Sequence, residues 1–136
     1  MGVDRGRGRL RLLLDTHALL WFATDPDRIS PATLDAIYSS DAASVSPVSV
    51  YELTYKQHCG KLPAATRLLT NLAQYLEDQD FQVLPLSLTH AETAGRLPLT
   101  HRDPFDRMLA AQALVEELTI VSIDSALDQY GVRRLW

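Results

Sequence analysis

The stretch LRLLLDTHALLWFAT (residues 10–24) contains the pattern that decides the fold. Its first five residues form a short apolar run that is typical of a buried β-strand, and residues 16–24 have the composition of a helix. Asp15 lies at the junction between the two. A strand that passes at once into a helix predicts a unit of a parallel α/β sheet, because parallel strands are joined by crossover connections that are usually helical.

The same alternation continues to the end of the chain. We predict further strands at residues 43–46, 81–84, 119–123 and 132–135, and helices at residues 31–40, 47–58, 63–79, 87–95, 104–118 and 125–130. The clearest helical periodicity lies in residues 63–79, where apolar side chains recur three and four residues apart. The pattern predicts an α/β domain with a mostly parallel five-stranded sheet and helices on both faces.

Length and composition fit one globular domain. The chain has 136 residues, of which 46% are hydrophobic and 22% charged. Its one cysteine, Cys59, excludes an intramolecular disulfide and a four-cysteine zinc site. No apolar stretch approaches the ~20 residues of a membrane span, and no signal peptide is recognisable. We therefore expect a cytoplasmic protein without a membrane segment.

The charge balance is acidic, with 17 Asp and Glu against 13 Lys and Arg and a formal net charge of −4. This balance does not indicate a general nucleic-acid-binding protein. Basic residues are concentrated at the N-terminus, where residues 5–11 contain four arginines. We interpret residues 1–9 as a flexible basic extension of a single domain that spans residues 10–136, with a phosphate-contacting arm as the alternative.

Carboxylates follow two of the predicted strands. Asp15 follows the first strand, and Asp124 follows the strand at residues 119–123. The carboxyl ends of parallel strands form the edge at which open α/β sheets bind ligands, so we expect these two side chains at one site. Capping of the next helix is the alternative for each, because aspartate is a favoured N-cap residue.

Three further acids belong to predicted helices. Glu52 lies inside the helix at residues 47–58 on a partly apolar face, where a carboxylate needs a partner such as a metal or an arginine. An exposed position at the edge of that face is the alternative. Asp103 and Asp106 lie at the start of the helix at residues 104–118, where both also suit capping and the helix dipole.

The acids from four separate segments are expected near one edge of the sheet; they are Asp15, Glu52, Asp106 and Asp124. Carboxylates that are brought together repel and raise each other's pKa unless a cation lies among them. Oxygen ligands of this kind suit Mg²⁺ or Mn²⁺ rather than zinc. Such ions activate water and stabilise the leaving oxygen in phosphodiester hydrolysis, so the pattern favours that chemistry.

Four motifs, taken in order, resemble the PIN domain, and specifically the VapC-type toxin ribonucleases of prokaryotic toxin–antitoxin pairs. They are LLLDTHALLW (residues 12–21), SPVSVYE (46–52), HRDPFDR with AAQA (101–107 and 110–113), and VSID followed by YGV (121–124 and 130–132). The resemblance covers residues 10–136. It implies a PIN-like three-layer α/β sandwich, a Mg²⁺ or Mn²⁺ site and endoribonuclease activity.

The resemblance also implies roles for individual residues. The carboxylates that match the family's catalytic, metal-binding quartet are Asp15, Glu52, Asp106 and Asp124. Asp103 matches an auxiliary acid, and Thr16 and Ser122 match small hydroxyl positions beside the acids, suited to hydrogen bonds with them. Homodimerisation, an RNA substrate and a cognate antitoxin protein that covers the site are implied as well.

Arg102 and Arg107 are candidates for contacts with substrate phosphates, although each also suits an ion pair on the surface. Two other classes of function compete with this interpretation, and the sequence argues against the first. A receiver-type signalling domain needs an acceptor aspartate after the third strand and a lysine after the fifth, and neither is present. A non-catalytic PIN-like binding module, whose acids are neutralised by a partner's arginines, has the same sequence features.

Overall fold

A computed structural model describes residues 10–100 and 103–136 of the chain. Its five strands form one sheet in the order β3-β2-β1-β4-β5, and each neighbouring pair is parallel. The strands are β1 (Arg11–Leu14), β2 (Ala42–Val45), β3 (Phe81–Val83), β4 (Thr119–Val121) and β5 (Arg133–Leu135). The predicted parallel α/β sheet is therefore confirmed.

Helices connect the strands. The α-helices are α1 (Thr16–Thr24), α2 (Pro31–Ser39), α3 (Pro47–His58), α4 (Ala65–Thr70), α5 (Leu72–Asp78), α6 (Leu88–Arg96) and α7 (Pro104–Glu116). Two 3₁₀ helices cover Pro26–Arg28 and Ser125–Tyr130. Within the two described ranges, no helix has the length and apolar character that a membrane crossing requires.

Two hydrophobic cores lie on opposite faces of the sheet, which makes the fold a three-layer sandwich. Successive side chains of a strand point to opposite faces, and accordingly Leu12 and Leu14 belong to one core while Leu13 belongs to the other. All three side chains are fully buried. The first core receives apolar side chains from α1 to α5, and the second receives them mainly from α7 and the second 3₁₀ helix.

Helix starts follow local capping rules. The Ser46 hydroxyl accepts a hydrogen bond from the Val48 amide at 3.0 Å, and proline at the first helical position follows it in α3. Ser30 and Asp103 cap α2 and α7 in the same way. At the other end of α3, Gly60 has a φ of +77°, a left-handed conformation that glycine adopts without strain. These local signals explain why the predicted boundaries hold here.

The predicted helix at residues 63–79 is wrong in extent. It begins only at Ala65 and is interrupted at Asn71, whose backbone has a φ of −140° and a ψ of 47°. The two resulting helices pack on different elements, because α4 contacts α1 and α3 whereas α5 contacts β3. The break changes the direction of the chain between these two packing surfaces, although the apolar periodicity continues across it.

The order of strands creates a crevice beside β1. The chain passes from β1 to β2 and β3 on one side and returns to place β4 and β5 on the other side. This reversal is a topological switch point, and loops diverge there at the carboxyl ends of β1 and β4. The predicted basic extension at residues 1–9 lies outside the described residues. His101 and Arg102, the second a candidate phosphate contact, also lie outside them.

Candidate active site

A cavity of about 140 Å³ opens at this switch point. Its lining residues are Asp15, Thr16, His17, Glu52, Lys56, Asp103, Asp106, Ile123 and Asp124. All five acids that the sequence singled out are therefore brought to one cavity, although they come from four separate segments of the chain.

Asp15 lies immediately after β1 and is only 7% exposed. Its Oδ1 accepts a hydrogen bond from the Ala18 amide at 2.9 Å, so the capping alternative is correct and coexists with a place in the cavity. Burial raises the pKa of Asp15 to about 6, against the lowering effect of the Ser122 hydroxyl, the Ala18 amide and His17. Asp106 contributes a smaller increase through charge repulsion. A cation in this cavity would favour the ionised carboxylate.

Ser122 links the two acids that follow strands. Its hydroxyl bonds the Asp15 carboxylate and also accepts a hydrogen bond from the Asp124 amide at 3.0 Å. Arg134 donates to the Ser122 carbonyl at 3.0 Å. Asp124 in turn caps the second 3₁₀ helix through the Ala126 amide at 3.0 Å. Both carboxylates therefore have directions fixed by backbone and hydroxyl groups.

Glu52 is buried at 5% exposure, so the exposed alternative considered for it is wrong. The Thr16 hydroxyl donates to Glu52 Oε1 at 2.6 Å and lies 3.1 Å from the Ser49 hydroxyl. Lys56 Nζ donates to Glu52 Oε2 at 2.6 Å. In this structure the charged partner of Glu52 is a lysine of its own helix, whereas the sequence suggested a metal or an arginine.

Asp103 caps α7, and Asp106 lies in its first turn. Asp103 Oδ1 accepts hydrogen bonds from the amides of Phe105 at 2.9 Å and Asp106 at 3.3 Å. Asp103 is exposed at the rim of the cavity, and Asp106 is half-buried. The helix start therefore holds one acid at the mouth and directs a second towards Asp15.

Arg107 does not present its guanidinium to the cavity as a free phosphate contact. Its Nη atoms donate to backbone carbonyls at the end of α6, including those of Ala94 and Leu97 at 2.9 Å and Pro98 at 2.7 Å. These bonds satisfy acceptors that the helix leaves without intrahelical partners. These contacts place Arg107 at the junction of α6 and α7, and its contact with substrate phosphates stays a prediction.

The donor set of the cavity fits a hard divalent cation, because it consists of carboxylate oxygens with hydroxyls behind them. In the described ranges, however, no three Asp, Glu, His or Cys side chains are grouped closely enough to enclose an ion as they stand. The geometry gives a reason, since Glu52 is turned to Thr16 and Lys56. The residues have the right chemistry, but side-chain rearrangement would accompany metal binding.

Sequence reasoning missed Lys56 as a residue of the site. The available signal was its position four residues after Glu52, a spacing at which side chains of opposite charge meet on a helix. Spacing alone does not show whether such a pair faces solvent or a cavity. That information comes only from the packing of α3 against the sheet.

Comparisons with known proteins identify the family of this chain. The family model described as the PIN domain matches residues 12–132. The chain is 30% identical over 117 residues to Ribonuclease VapC22 of Mycobacterium tuberculosis, which covers 85% of this chain and 88% of that protein.

Solved structures share the fold. The DNA-bound VapBC complex from Salmonella typhimurium contains a chain with a TM-score of 0.69 and 20% identity, covering 93% of this chain and 97% of that one. A chain of VapBC2 from Rickettsia felis, bound to a promoter DNA fragment, has a TM-score of 0.66 and 15% identity, covering 93% and 98%. The receiver-type alternative is thereby excluded, and the chain belongs to the PIN-domain family.

Proposed function

We propose that this protein is a divalent-metal-dependent endoribonuclease that acts as the toxin of a toxin–antitoxin pair. The observation that carries the proposal is the convergence of Asp15, Glu52, Asp106 and Asp124 in one cavity at the switch point of the sheet. The similarity to Ribonuclease VapC22 supports the same activity.

The proposed metal ligands are these four carboxylates, with Asp103 as an auxiliary acid at the rim. The proposed ion is Mg²⁺ or Mn²⁺, because carboxylate oxygens are hard ligands. When bound, such an ion supplies an activated water and neutralises charge on the departing oxygen of a phosphodiester.

The remaining residues of the site orient the carboxylates. Ser122 and the Ala18 amide hold Asp15 from two sides, and the Ala126 amide holds Asp124. Thr16 fixes one oxygen of Glu52. These contacts fix the directions of Asp15 and Asp124 before substrate arrives, so the rearrangement that metal binding requires falls mainly on Glu52 and its partner Lys56.

The electrostatics of the cavity support a cation requirement. Five carboxylates line it, and Lys56 is its one lysine or arginine among the described residues. RNA brings a further negative charge with each phosphate, so a cavity without an added cation repels the proposed substrate. A divalent ion reduces this repulsion and therefore favours substrate binding as well as cleavage.

The proposed partners are an RNA substrate, a cognate antitoxin and a second copy of this chain, all in the cytoplasm. The fold neighbours in VapBC complexes support the antitoxin. Exposed apolar side chains support a protein contact: Ile123 lines the cavity and is 53% exposed, and Tyr51, next to Glu52 in the sequence, is 58% exposed. Light scattering on the purified chain is expected to give the mass of a dimer.

Cleavage of RNA by the purified chain tests the proposal. We expect new RNA ends in the presence of Mg²⁺ or Mn²⁺, none in EDTA, and none with Asp106→Asn, which removes a charge without changing the size of the side chain. Asp35→Asn, an exposed carboxylate on α2, is the matched control and should cleave as wild type does. Metal-independent cleavage would refute the metal requirement. No cleavage by folded wild type across a broad RNA mixture would favour the non-catalytic binding module instead.

A further inference from the structure

The ion pair between Glu52 and Lys56 is more buried than an ordinary ion pair on a helix surface. The atoms Lys56 Nζ and Glu52 Oε2 are 2.6 Å apart, and the Glu52 side chain is 6% exposed against 34% for Lys56. Thr16 occupies the other carboxylate oxygen. Glu52 is thus fixed on both oxygens, and one of the two partners is a cation inside the acidic cavity.

A second pair on this chain has the same spacing and provides a comparison. Glu92 and Arg96 are also four residues apart on a helix, but their charged atoms are 3.9 Å apart and their side chains are 57% and 80% exposed. Such a pair contributes little, because water screens both charges. The pair of Glu52 and Lys56 differs from it in the short contact and in the loss of solvent around the carboxylate.

Lys56 lies at the position that a divalent ion bound to Glu52 would also need. Lys56 lines the same cavity as Asp15, Asp106 and Asp124, and its ammonium contacts one of the proposed metal ligands directly. A buried carboxylate without a counter-charge is costly, so a cation beside Glu52 stabilises the folded chain before any metal binds. A divalent ion that binds Glu52 then meets a like charge already in place.

We propose that the Lys56 ammonium occupies the cation position beside Glu52 in the metal-free protein and must leave it when a divalent ion binds. Lys56 therefore acts as a positioning residue that sets the ion concentration at which the site becomes loaded. This inference rests on the proposed metal-dependent function.

The relative mobility of the two partners indicates which one moves. Glu52 is enclosed and held by the Thr16 hydroxyl, whereas Lys56 is one-third exposed and has a flexible four-carbon stem. Withdrawal of the lysine into solvent leaves Oε2 available without moving the helix. The ammonium is well hydrated in water, so the exchange of one cation for another costs less than the burial of an unpaired carboxylate.

A Mn²⁺ titration of the purified full chain measures this competition, with electron paramagnetic resonance reporting the concentration of free ion at each step. Lys56→Gln removes the charge and keeps a hydrogen-bond donor for Glu52, so we expect Mn²⁺ affinity to rise at least about tenfold, which corresponds to about 1.4 kcal/mol. Lys56→Arg keeps the charge and should stay within about threefold of wild type. Arg96→Gln, which removes the same charge from the exposed pair, is the matched control and should bind as wild type does.

A second measurement does not depend on a variant. Lysines are acetylated with an amine-reactive reagent, and mass spectrometry gives the extent of modification at each lysine. The chain has two lysines, Lys56 and Lys61, and Lys61 is exposed, so it serves as an internal reference. Added Mg²⁺ should increase the modification of Lys56 relative to Lys61, because the released ammonium becomes accessible.

The outcomes separate the inference from the function on which it rests. If wild type binds Mn²⁺ but Lys56→Gln binds no more tightly, or if Mg²⁺ leaves the relative labelling of Lys56 unchanged, the inference is wrong and the metal site stands. If wild type and Lys56→Gln both fold and neither binds Mn²⁺, the proposed metal-dependent function is wrong and the inference fails with it.

Discussion

Replacement of Asp15 by asparagine is expected to make the metal-free protein more stable at neutral and alkaline pH. The pKa of Asp15 is raised from 3.8 to about 6, chiefly by burial. Each pKa unit corresponds to about 1.4 kcal/mol, so ionising this carboxyl in the folded chain costs about 3 kcal/mol more than in the unfolded chain. Asparagine avoids that cost and still accepts the hydrogen bond from the Ala18 amide.

This cost already includes the favourable interactions of the ionised carboxylate with the Ala18 amide and Ser122, and the asparagine amide replaces the carboxyl group imperfectly. We therefore expect Asp15→Asn to raise the free energy of unfolding by about 2 kcal/mol at pH 8. Because its pKa is raised in the folded state, the Asp15 carboxyl of wild type binds its proton more tightly in the folded chain than in the unfolded chain. Wild type therefore loses stability relative to the variant as the pH rises from about 4 through 6. The difference between variant and wild type should grow over that window and level off above about pH 7.

Urea unfolding in EDTA at a series of pH values between about 4 and 8 measures the difference. Asp35→Asn, at an exposed position of α2, should change the free energy of unfolding by less than about 0.5 kcal/mol and without a trend in pH. Added Mn²⁺ should stabilise wild type but not Asp15→Asn, because only a folded state that binds the ion gains from it. Parallel pH profiles for wild type and Asp15→Asn would refute the reasoning.

Three other variants test contacts around the site. Arg107→Ala should lower the free energy of unfolding by about 2 kcal/mol in urea titrations, because backbone carbonyls at the end of α6 lose a charged donor. Glu117→Gly should raise it by about 0.5 to 1 kcal/mol, since Glu117 ends α7 in the left-handed region with a φ of 56°, where glycine is unstrained. Ser122→Ala should raise the pKa of Asp15 further, as followed by carboxyl-carbon NMR, because it removes a hydrogen bond that lowers this pKa; an unchanged pKa would contradict the contact.

The fold was predictable from the sequence because its signals are local. A short apolar run before Asp15 and capping residues such as Ser46 and Asp103 specify where strands end and helices begin, whatever lies elsewhere in the chain. The interruption at Asn71 was not predictable in this way. Apolar periodicity reports that a face is buried, and it does not report that α4 and α5 are buried against different elements.

The sequence was enough to predict which residues form the candidate site, but not which side chains they contact. Asp15 and Asp124 follow strands of one parallel sheet, so topology alone brings them to one edge. The partners of Arg107 depend on which helix faces which, and the sequence around Arg107 does not contain that information. The spacing of Glu52 and Lys56 allows an ion pair, but it does not show that the pair faces the cavity. Lys56 was missed for the same reason, since an ion pair along a helix is as common on the surface as in a cavity.

The position of a bound Mn²⁺ ion tests the central claim most directly. Crystals of the chain grown with Mn²⁺ and measured at the manganese absorption edge should give an anomalous peak in the cavity lined by Asp15, Asp106 and Asp124. Lys56 should have moved away from Glu52 in the same crystals. A peak confined to the separate cavity beside Asp41 and Asp80, or none at millimolar Mn²⁺, would contradict the account of these carboxylates as a metal-binding active site.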